Sequence, residues 1–388
     1  MRILLLTFYF QPDLCAGSFR ATALVEALRR RLGPEDRIDV VTTMPNRYHD
    51  FRVSAPPVER LGPVEVVRLP LPPHRSGFLD QARAFSAYFL AARARAAERR
   101  YDLVVATSSR LFTAFLGARI ARRQRAPLFL DIRDLFVDTM RSLLFPSARV
   151  VLLPLFSAVE RHTLRTAGGI NLVSEGFLDD VRRLAPWARI SLHPNGIDDL
   201  FLQHHFPPPR RDRAGPRTIC YAGNLGQGQG LERIVPGLAR RLGRGYRFRI
   251  IGSGGMQRAL AAATAGLDQV ELIPPVGRER LIGFYEEAEI LFLHLNDRPA
   301  FDKVLPSKIF EYAATGRPIL AGVRGTARAF LQREVAGAYC FDPGDIEEAA
   351  RLVSTIPPGG VDRRPFVDRY ARGRIMDRLA QEILALVA

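Results

Sequence analysis

Short apolar runs alternate with longer amphipathic segments along the whole chain. Each run is too short to be a helix, and the segments between them carry apolar residues at helical spacing. Strands separated by helices predict parallel β-sheets joined by right-handed crossovers. In the first half the predicted strands are Ile3–Phe8, Ile38–Thr42, Val64–Leu69, Leu103–Ala106, Leu128–Asp131 and Gly169–Val173, and the predicted helices are Phe19–Arg31, Leu79–Arg99, Leu111–Arg122 and Leu152–Ala167.

The same alternation restarts after a stretch rich in proline, glycine and charge at 207–216, which indicates a linker. The predicted strands of the second half are Thr218–Ala222, Tyr246–Ile251, Val270–Ile273, Ile290–His294 and Pro318–Ala321. The predicted helices are Leu231–Leu242, Gly255–Ala265, Leu281–Glu287, Ser307–Thr315, Thr326–Glu334 and a long final helix at Phe366–Val387.

These patterns predict an α/β protein with two doubly wound, Rossmann-like domains. We expect the first at 1–206 and the second at 217–365, with the linker 207–216 between them. Ligands of such sheets bind beyond the carboxyl ends of the strands, so we expect the main site in a cleft between the two domains.

The composition fits this picture: 47% of the 388 residues are apolar and 25% are charged. The three cysteines lie far apart in the sequence, which predicts reduced thiols and a cytoplasmic protein. The N-terminal MRILLLTFYF has a short apolar run and no small-residue cleavage site, so we interpret it as a buried strand. No uninterrupted apolar run reaches the length of a membrane-spanning helix.

The net charge of +16 predicts an anionic partner. Nucleic acid is the alternative that this charge raises, but the chain has no zinc-finger spacing, no RNA-recognition aromatic motif and no basic tail. No ligand spacing for a metal ion and no Gly-x-Ser-x-Gly sequence is present, so we expect neither a metal site nor a serine hydrolase.

Three glycine-rich turns follow predicted strands and precede helices. The first holds Gly17, Ser18 and Arg20, the second is YAGNLGQGQGLE at 221–232, and the third is IIGSGGMQRAL at 250–260. Glycine lets a backbone approach a phosphate, and the following helix start offers free N–H groups. A tight turn between strand and helix needs glycine in any case, so one such turn is weak evidence. None has P-loop or complete dinucleotide-binding spacing.

The stretch FDKVLPSKIFEY at 301–312 contains the only two lysines among 56 basic residues, Lys303 and Lys308. Ser307 and Lys308 fall at a predicted helix start after a proline, where free N–H groups favour an anion. Glu311 follows one turn later on the same face. The alternative interpretation is an ordinary Lys–Glu surface pair in an arginine-biased chain.

The segments YAGNLGQGQGLERI, IIGSGG and VLPSKIFEYAATGRPILAG resemble the family-4 retaining glycosyltransferases of the GT-B fold, and DIRDLFVDT and HPNGIDDLF match that family in their expected places. The resemblance covers nearly the whole chain. The PSKIFEY form is similar to a subset that builds bacterial O-antigen and capsule, with transferases of N-acetylated amino sugars such as N-acetylfucosamine as the nearest likeness.

The resemblance implies a nucleotide-sugar donor, usually UDP-linked, bound mainly by the second domain, and no further cofactor. Glu311 would bind the ribose, and Ser307 and Lys308 the diphosphate. The remaining implied contacts fall on Gly252 and Gly254 beside the nucleotide, Pro275 and Val276 beside the base, Gly17 over the donor phosphates, and Asp131, Arg133 and Asp134 at the transferred sugar or the acceptor. The helix at 366–388 would cross back onto the first domain.

The sequence departs from the wider family at two places. Many members carry a glutamate where Lys303 stands, and many carry arginine and lysine where Asn224 and Gln229 stand. We infer that phosphate charge is handled from 303–308, and we keep Asn224, Gln229, Lys303, Ser18 and Arg20 as candidate substrate-binding residues.

The resulting hypothesis is metal-independent transfer of a sugar with retention of configuration. Lys308 would meet the charge of the leaving diphosphate, and Asp131 or Asp134 would assist the acceptor. A nucleotide-sugar 2-epimerase of the same fold, a phosphorylase with a pyridoxal cofactor and a basic nucleic-acid-binding protein are the alternatives.

We expect a polyprenyl-diphosphate-linked or glycan acceptor and peripheral attachment to the inner face of the cytoplasmic membrane. The arginine-rich segment 80–100 and the apolar segment 143–159 suit an anionic lipid surface. An ordinary solvated surface and a core helix explain the same two segments equally well.

Overall fold

The computed structural model describes residues 1–45, 54–72, 78–108, 111–144, 146–209 and 215–387. Its strands are β1 Arg2–Leu6, β2 Arg37–Thr43, β3 Val58–Leu61, β4 Val64–Leu69, β5 Leu103–Thr107, β6 Leu128–Ile132, β7 Gly169–Leu172, β8 Arg189–Leu192, β9 Arg217–Ala222, β10 Tyr246–Ile251, β11 Val270–Ile273, β12 Ile290–His294, β13 Ile319–Gly322 and β14 Ala338–Phe341.

Helices follow most of these strands in the described ranges. They are α1 Ala16–Arg29, α2 Phe78–Ala97, α3 Leu111–Gln124, α4 Phe136–Leu143, α5 Pro146–Thr166, α6 Leu178–Leu184, α7 Asp199–Gln203, α8 Leu231–Leu242, α9 Gln257–Ala263, α10 Arg278–Glu287, α11 Pro299–Asp302, α12 Lys308–Ala314, α13 Gly325–Glu334, α14 Ile346–Thr355, α15 Arg364–Arg369 and α16 Arg372–Leu384.

The chain divides into two compact units, which are called unit 1 and unit 2 below. Unit 1 contains Met1–Asn195 and Arg372–Ala388, and unit 2 contains Gly196–Ala371. The first boundary, after Asn195, lies about ten residues before the predicted linker. The second boundary, after Ala371, lies six residues after the predicted end of the second domain at 365. The linker predicted at 207–216 lies partly outside the described residues, which omit 210–214.

Unit 1 has an eight-stranded sheet in the order β3-β4-β2-β1-β5-β6-β7-β8. The chain winds outward in both directions from β1, so the order reverses between β1 and β5, where a doubly wound sheet opens a crevice. Every strand pair is parallel except β3–β4. All five residues of β5 and of β6 are buried, as expected for strands covered by helices on both faces.

Unit 2 has a six-stranded parallel sheet in the order β11-β10-β9-β12-β13-β14, with its reversal between β9 and β12. Its core holds the inner faces of these strands together with α8 and α14. The prediction of two doubly wound α/β sheets is therefore confirmed.

The prediction of one long helix at the C-terminus is wrong, because the chain forms α15 and α16 with a break at Tyr370–Ala371. The Tyr370 backbone is not helical, and Ala371 pairs with Ile197 as an isolated parallel bridge. The Ile197 N–H donates to the Tyr370 carbonyl at 2.7 Å. The ring of Tyr370 packs on Phe366 and Phe310, and these contacts hold the break in place. The second helix, α16, packs against α1 of unit 1.

The edge strand β3 is absent from the predictions because its pattern is not that of a buried strand. Val58 and Leu61 are 50% and 44% exposed, and Gly62 turns the chain with a φ of +62° into β4. The resulting antiparallel hairpin buries little apolar surface of β3, which leaves no alternating pattern to detect.

Candidate functional site

Two glycine turns meet at the carboxyl ends of β9 and β10 in unit 2. The Gly223 N–H donates to the Ile251 carbonyl at 2.8 Å, and the Leu225 N–H donates to the Ser253 carbonyl at 2.9 Å. A Cβ atom on Gly252 would collide with the Gly223 carbonyl, and one on Gly254 would collide with the Leu225 backbone. Close packing of the turns therefore accounts for Gly252 and Gly254 without any ligand, as one interpretation of the sequence allowed.

Lys308 reaches the same place from the first turn of α12. Its Nζ and Cε atoms occupy the space where a Cβ on Gly223 would stand, and Nζ lies 5.3 Å from the centroid of the Tyr221 ring. Lys308 is half-buried. An ammonium group is thus held against an open backbone turn at the carboxyl end of the central strand, where a phosphate would bind.

The position of Lys308 depends on how α12 is anchored to the sheet. Ile309, Phe310 and Ala313 are buried against the core. The Ala222 N–H donates to the hydroxyl of Tyr312 at 3.1 Å, and the Tyr221 hydroxyl donates to the Asn224 carbonyl at 2.7 Å. The Ala222–Tyr312 bond fixes α12 to the end of β9, and the Tyr221–Asn224 bond fixes the turn that follows β9, so Lys308 and Gly223 are held together.

Asn224 and Gln229, at the positions where the resemblance implies cationic residues, bind each other across the second turn. The Asn224 side chain and the Gly226 N–H both donate to Gln229 Oε1, each at 3.2 Å. The two side chains therefore close the turn as an uncharged pair.

His294 and Asn296, at the end of β12, support the same turn and were missed by the sequence interpretation. His294 Nδ1 lies 2.6 Å from the Gln229 carbonyl, and its Nε2 accepts from the Gly344 N–H at 3.1 Å. Burial lowers the pKa of His294 to about 4, so the ring is neutral and Nδ1 carries the proton. The Asn296 side chain donates to the Gln227 carbonyl at 2.8 Å. The feature of the sequence that could have identified His294 and Asn296 is their position at the carboxyl end of the buried strand β12.

The other predicted site residues of unit 2 follow strand ends that neighbour β9 and β10, or belong to α12 and the segment just before it. Pro275 and Val276 follow β11, whose carboxyl end lies beside that of β10. Glu311 is half-buried one turn after Lys308, and Ser307 precedes α12 without a side-chain cap bond. Lys303 ends α11 and is half-buried. The structure thus brings Lys308 to the Gly223 and Gly252 turns, with the strand ends that carry Pro275 and Val276 alongside.

In unit 1 the predicted Asp131 forms a buried ion pair with Arg20. Arg20 Nε and Nη2 donate to the two Asp131 oxygens at 2.7 and 2.8 Å, and the Asn171 amide donates to the same carboxylate at 2.7 Å. Both charged side chains are 1% exposed. Burial alone would raise the pKa of Asp131, but the Arg20 charge and these hydrogen bonds hold it below its usual value.

Arg133 and Gly17 form a second contact at this end of unit 1. A guanidinium nitrogen of Arg133 stands where a Cβ on Gly17 would be, at the start of α1. Burial lowers the pKa of Arg133. The Ser18 side chain is fully buried, and its hydroxyl has no partner among the described residues. Asp134 is exposed as a residue, yet partial desolvation of its carboxyl group by the surrounding protein raises the pKa of that group to about 6.

Two family profiles match consecutive parts of the chain. The profile of the glycosyl transferase 4-like domain matches residues 17–196, and that of the glycosyl transferases group 1 matches residues 216–356. The chain is also 25% identical over 300 residues to WcaI of Escherichia coli (strain K12), whose name places it in colanic acid biosynthesis as a glycosyl transferase. The match covers 70% of this chain and 72% of that protein.

Solved structures share the fold at low identity. The complex of Anabaena HepE with UDP-glucose has a TM-score of 0.67 at 16% identity, covering all of both chains. WaaG, a glycosyltransferase of lipopolysaccharide biosynthesis, has a TM-score of 0.64 at 12% identity, covering 98% of this chain and 95% of that one.

We predict that Asp131→Asn destabilises unit 1 by about 3–5 kcal/mol, because it leaves the buried Arg20 charge without its carboxylate. Urea unfolding followed by the fluorescence of Trp187, the only tryptophan and part of unit 1, measures this change. The matched control is Glu35→Gln, the same carboxylate-to-amide change at an exposed side chain with no ion pair among the described residues, where we expect a change within about 0.5 kcal/mol. Equal free energies of unfolding for the two variants would contradict the buried ion pair between Arg20 and Asp131.

The same pair gives a pH dependence with a defined sign. The folded-state pKa of Asp131 is depressed, so its contribution is present above the unfolded pKa of about 3.9 and is lost as pH falls further. The stability difference between wild type and Asp131→Asn should therefore shrink below about pH 4.

Proposed function

We propose that this chain, a glycosyltransferase of the GT-B fold, moves a sugar from a nucleoside diphosphate sugar to a glycan or polyprenyl-diphosphate-linked acceptor. The name of the E. coli relative supports a role in bacterial surface polysaccharide synthesis. The transferase profiles favour transfer over the epimerase alternative.

The observation that carries this proposal is the placement of Lys308 against Gly223 at the reversal point of the unit 2 sheet. A compact ammonium group beside an open backbone turn suits the diphosphate of the donor. Glu311, one helical turn further, would accept hydrogen bonds from the ribose hydroxyls. Pro275 and Val276 would border the base.

The donor is proposed to be UDP-linked and to carry an N-acetylated amino sugar. The PSKIFEY segment supports the amino sugar through its resemblance to that subset. UDP-glucose in the HepE structure supports the base by similarity of fold.

The reaction is proposed to retain the configuration of the donor sugar. The bond between the anomeric carbon and the β-phosphate oxygen breaks as the acceptor oxygen attacks from the same face. The acceptor proton passes to the leaving phosphate. Lys308 and backbone N–H groups stabilise the charge that develops on that phosphate.

The residues of unit 1 have different parts in this proposal. Asp131 has both oxygens engaged by Arg20 and Asn171, so it positions rather than reacts. Asp134 is exposed and is the carboxylate that would assist the acceptor hydroxyl. Arg133, held over Gly17, supplies positive charge at the start of α1.

We predict that Lys308→Ala weakens UDP binding by roughly 10–100-fold, because a charge-assisted contact contributes about 1.5–3 kcal/mol. Isothermal titration with UDP measures this loss. The control is Arg240→Ala, an exposed arginine in the last turn of α8. Tight UDP binding and full turnover in Lys308→Ala would show that Lys308 does not hold the diphosphate.

The reaction type is tested with UDP-sugars, with and without an acceptor glycan. Transfer requires the acceptor and releases UDP, and a retained anomeric configuration appears in the NMR spectrum of the product. Conversion of the UDP-sugar with no acceptor present would instead establish an epimerase. Thermal stabilisation by UDP but not by GDP or dTDP would identify the base, since a ligand of the native state raises stability.

Peripheral attachment to an anionic membrane is proposed to use the outer face of α5. Val150, Val151 and Leu155 are 75%, 71% and 56% exposed, unusual values for apolar side chains of one helix. Within the described residues, no helix has both the length and the apolar character to traverse a bilayer. A surface helix of this kind inserts its apolar side chains among lipid headgroups.

We predict that Val151→Gln/Leu155→Gln reduces flotation of the chain with phosphatidylglycerol vesicles. The matched control is Val58→Gln/Leu61→Gln, which removes the same two residue types from the exposed edge strand β3. Equal flotation of both variants would exclude α5 as the attachment surface.

A further inference from the structure

Unit 1 contains a second basic site that the proposed reaction does not use. It is a cavity of about 930 Å³ between the C-terminal halves of α2 and α3, with His162 of α5 on one side. Ligand pockets commonly have volumes of about 300–1,000 Å³. We call this the arginine pocket, after its six lining arginines: Arg93, Arg99, Arg100, Arg119, Arg122 and Arg123.

The arginine pocket lies at the amino ends of the strands of unit 1, whereas Asp131 and Arg133 lie at the carboxyl ends. The last turns of α2 and α3 lead through short connections into the amino ends of β5 and β6. Asp131 and Arg133 stand at the carboxyl end of β6, a strand of five residues that spans roughly 16 Å. A ligand in the pocket is therefore distinct from one bound at those strand ends.

Most of the positive charge in the arginine pocket is uncompensated. Arg99 pairs with Asp39 and Glu65 at 3.0 and 3.1 Å. The single lining carboxylate, Glu98, is held by Arg95, which does not line the cavity. The other five lining arginines form no ion pair with any described residue. Five like charges around one cavity repel each other, and an anion between them would relieve that repulsion.

Helix dipoles account for only some of these arginines. Arg122 and Arg123 lie in the last turn of α3, where a cation is favoured by the free carbonyl groups. Arg93 and Arg119 lie before the last turns of their helices, so this explanation does not cover them. Arg119 stands over the ring of Phe115 at 6.0 Å, a contact that holds the guanidinium at the cavity.

The scaffold of the arginine pocket is fixed by side-chain contacts. The Gln124 amide donates to the Ala96 and Arg99 carbonyls at 3.0 and 3.1 Å, and its oxygen accepts from the Tyr101 N–H at 2.9 Å. Gln124 thereby joins the end of α3 to the end of α2 and occupies two carbonyl groups that would repel an anion.

Aromatic rings line the side of the cavity away from these helix ends. Phe89 stacks on Phe115 with ring centroids 6.3 Å apart, and His162 meets Phe115 edge-on at 5.8 Å. The cavity thus has one cationic part and one aromatic part. This combination suits a phosphate group attached to an apolar or ring-containing body.

We propose that the arginine pocket binds a phosphate-bearing ligand, with Arg93 and Arg119 contacting the phosphate. The ligand chemistry is shared by a soluble phosphorylated compound and an anionic lipid headgroup. The lining residues of the arginine pocket all belong to unit 1 and Lys308 belongs to unit 2, so the proposal stands independently of the donor assignment.

The test compares Arg93→Gln/Arg119→Gln with a control of equal charge loss. The control is Arg240→Gln/Arg244→Gln, an exposed arginine in the last turn of α8 and one in the turn that follows it, neither with an ion pair among the described residues. All four positions tolerate glutamine without loss of a described ion pair, and thermal unfolding verifies that both variants fold.

Pyrophosphate is titrated calorimetrically into each protein with UDP present in excess, so that any UDP site is already occupied. We expect the affinity for pyrophosphate to fall about tenfold or more in Arg93→Gln/Arg119→Gln and to change less than about twofold in the control. Flotation with phosphatidylglycerol vesicles is measured in parallel on the same proteins.

Pyrophosphate titration and vesicle flotation together distinguish a soluble phosphorylated ligand from a lipid headgroup. A selective loss of pyrophosphate binding alone supports a soluble ligand, and a selective loss of flotation alone supports a lipid headgroup. If neither measurement distinguishes Arg93→Gln/Arg119→Gln from the control, the proposal is wrong.

Discussion

The missing side chain at Gly223 is the constraint on which the candidate donor site depends. Because there is no Cβ atom, the Lys308 ammonium group and the Gly252 turn both fit against the backbone at the end of β9. Any larger residue at 223 would push Lys308 away, and a side chain at 252 would push the two turns apart. The φ of +146° at Gly223 is a second reason for glycine, since other residues rarely adopt it. The neutral His294 then holds the outer part of the turn through the Gln229 carbonyl.

In unit 1 a cationic side chain also fills the space beside a glycine, with arginine in place of lysine. Arg133 fills the space beside Gly17, and its neighbour in sequence, Asp131, is neutralised by Arg20. Arg20 is therefore part of a buried ion pair, whereas the guanidinium group of Arg133 lies at the start of α1. The net stabilisation by a buried pair is small because both charges have lost their hydration, whereas removal of one partner is costly because the other charge stays buried without compensation.

Sequence periodicity predicts the two doubly wound sheets, but it does not predict the partly exposed strands β3, β8 and β14 or the contacts between segments. The buried strands of both sheets were found because parallel strands covered on both faces are continuous apolar runs. The turn glycines were found too, but the reason for Gly252 and Gly254 is the contact between two turns, which no single segment reveals. The partner of Asp131 lies 111 residues away, and the anchors of the Gly223 turn come from the end of β12. Contacts of this range are decided by strand order, which the pattern along one chain does not specify.

The contrast between the two kinds of cation has a chemical consequence. Both lysines of the chain, Lys303 and Lys308, belong to unit 2, so unit 1 carries its side-chain positive charge on arginine and histidine alone. A guanidinium group stays protonated and does not react as an amine at ordinary pH. A reagent that acylates the amino groups of lysine side chains would therefore find no target in unit 1. In unit 2 its targets fall within one short segment, so amine chemistry can address the candidate donor site while leaving the arginine-rich surface of the protein intact.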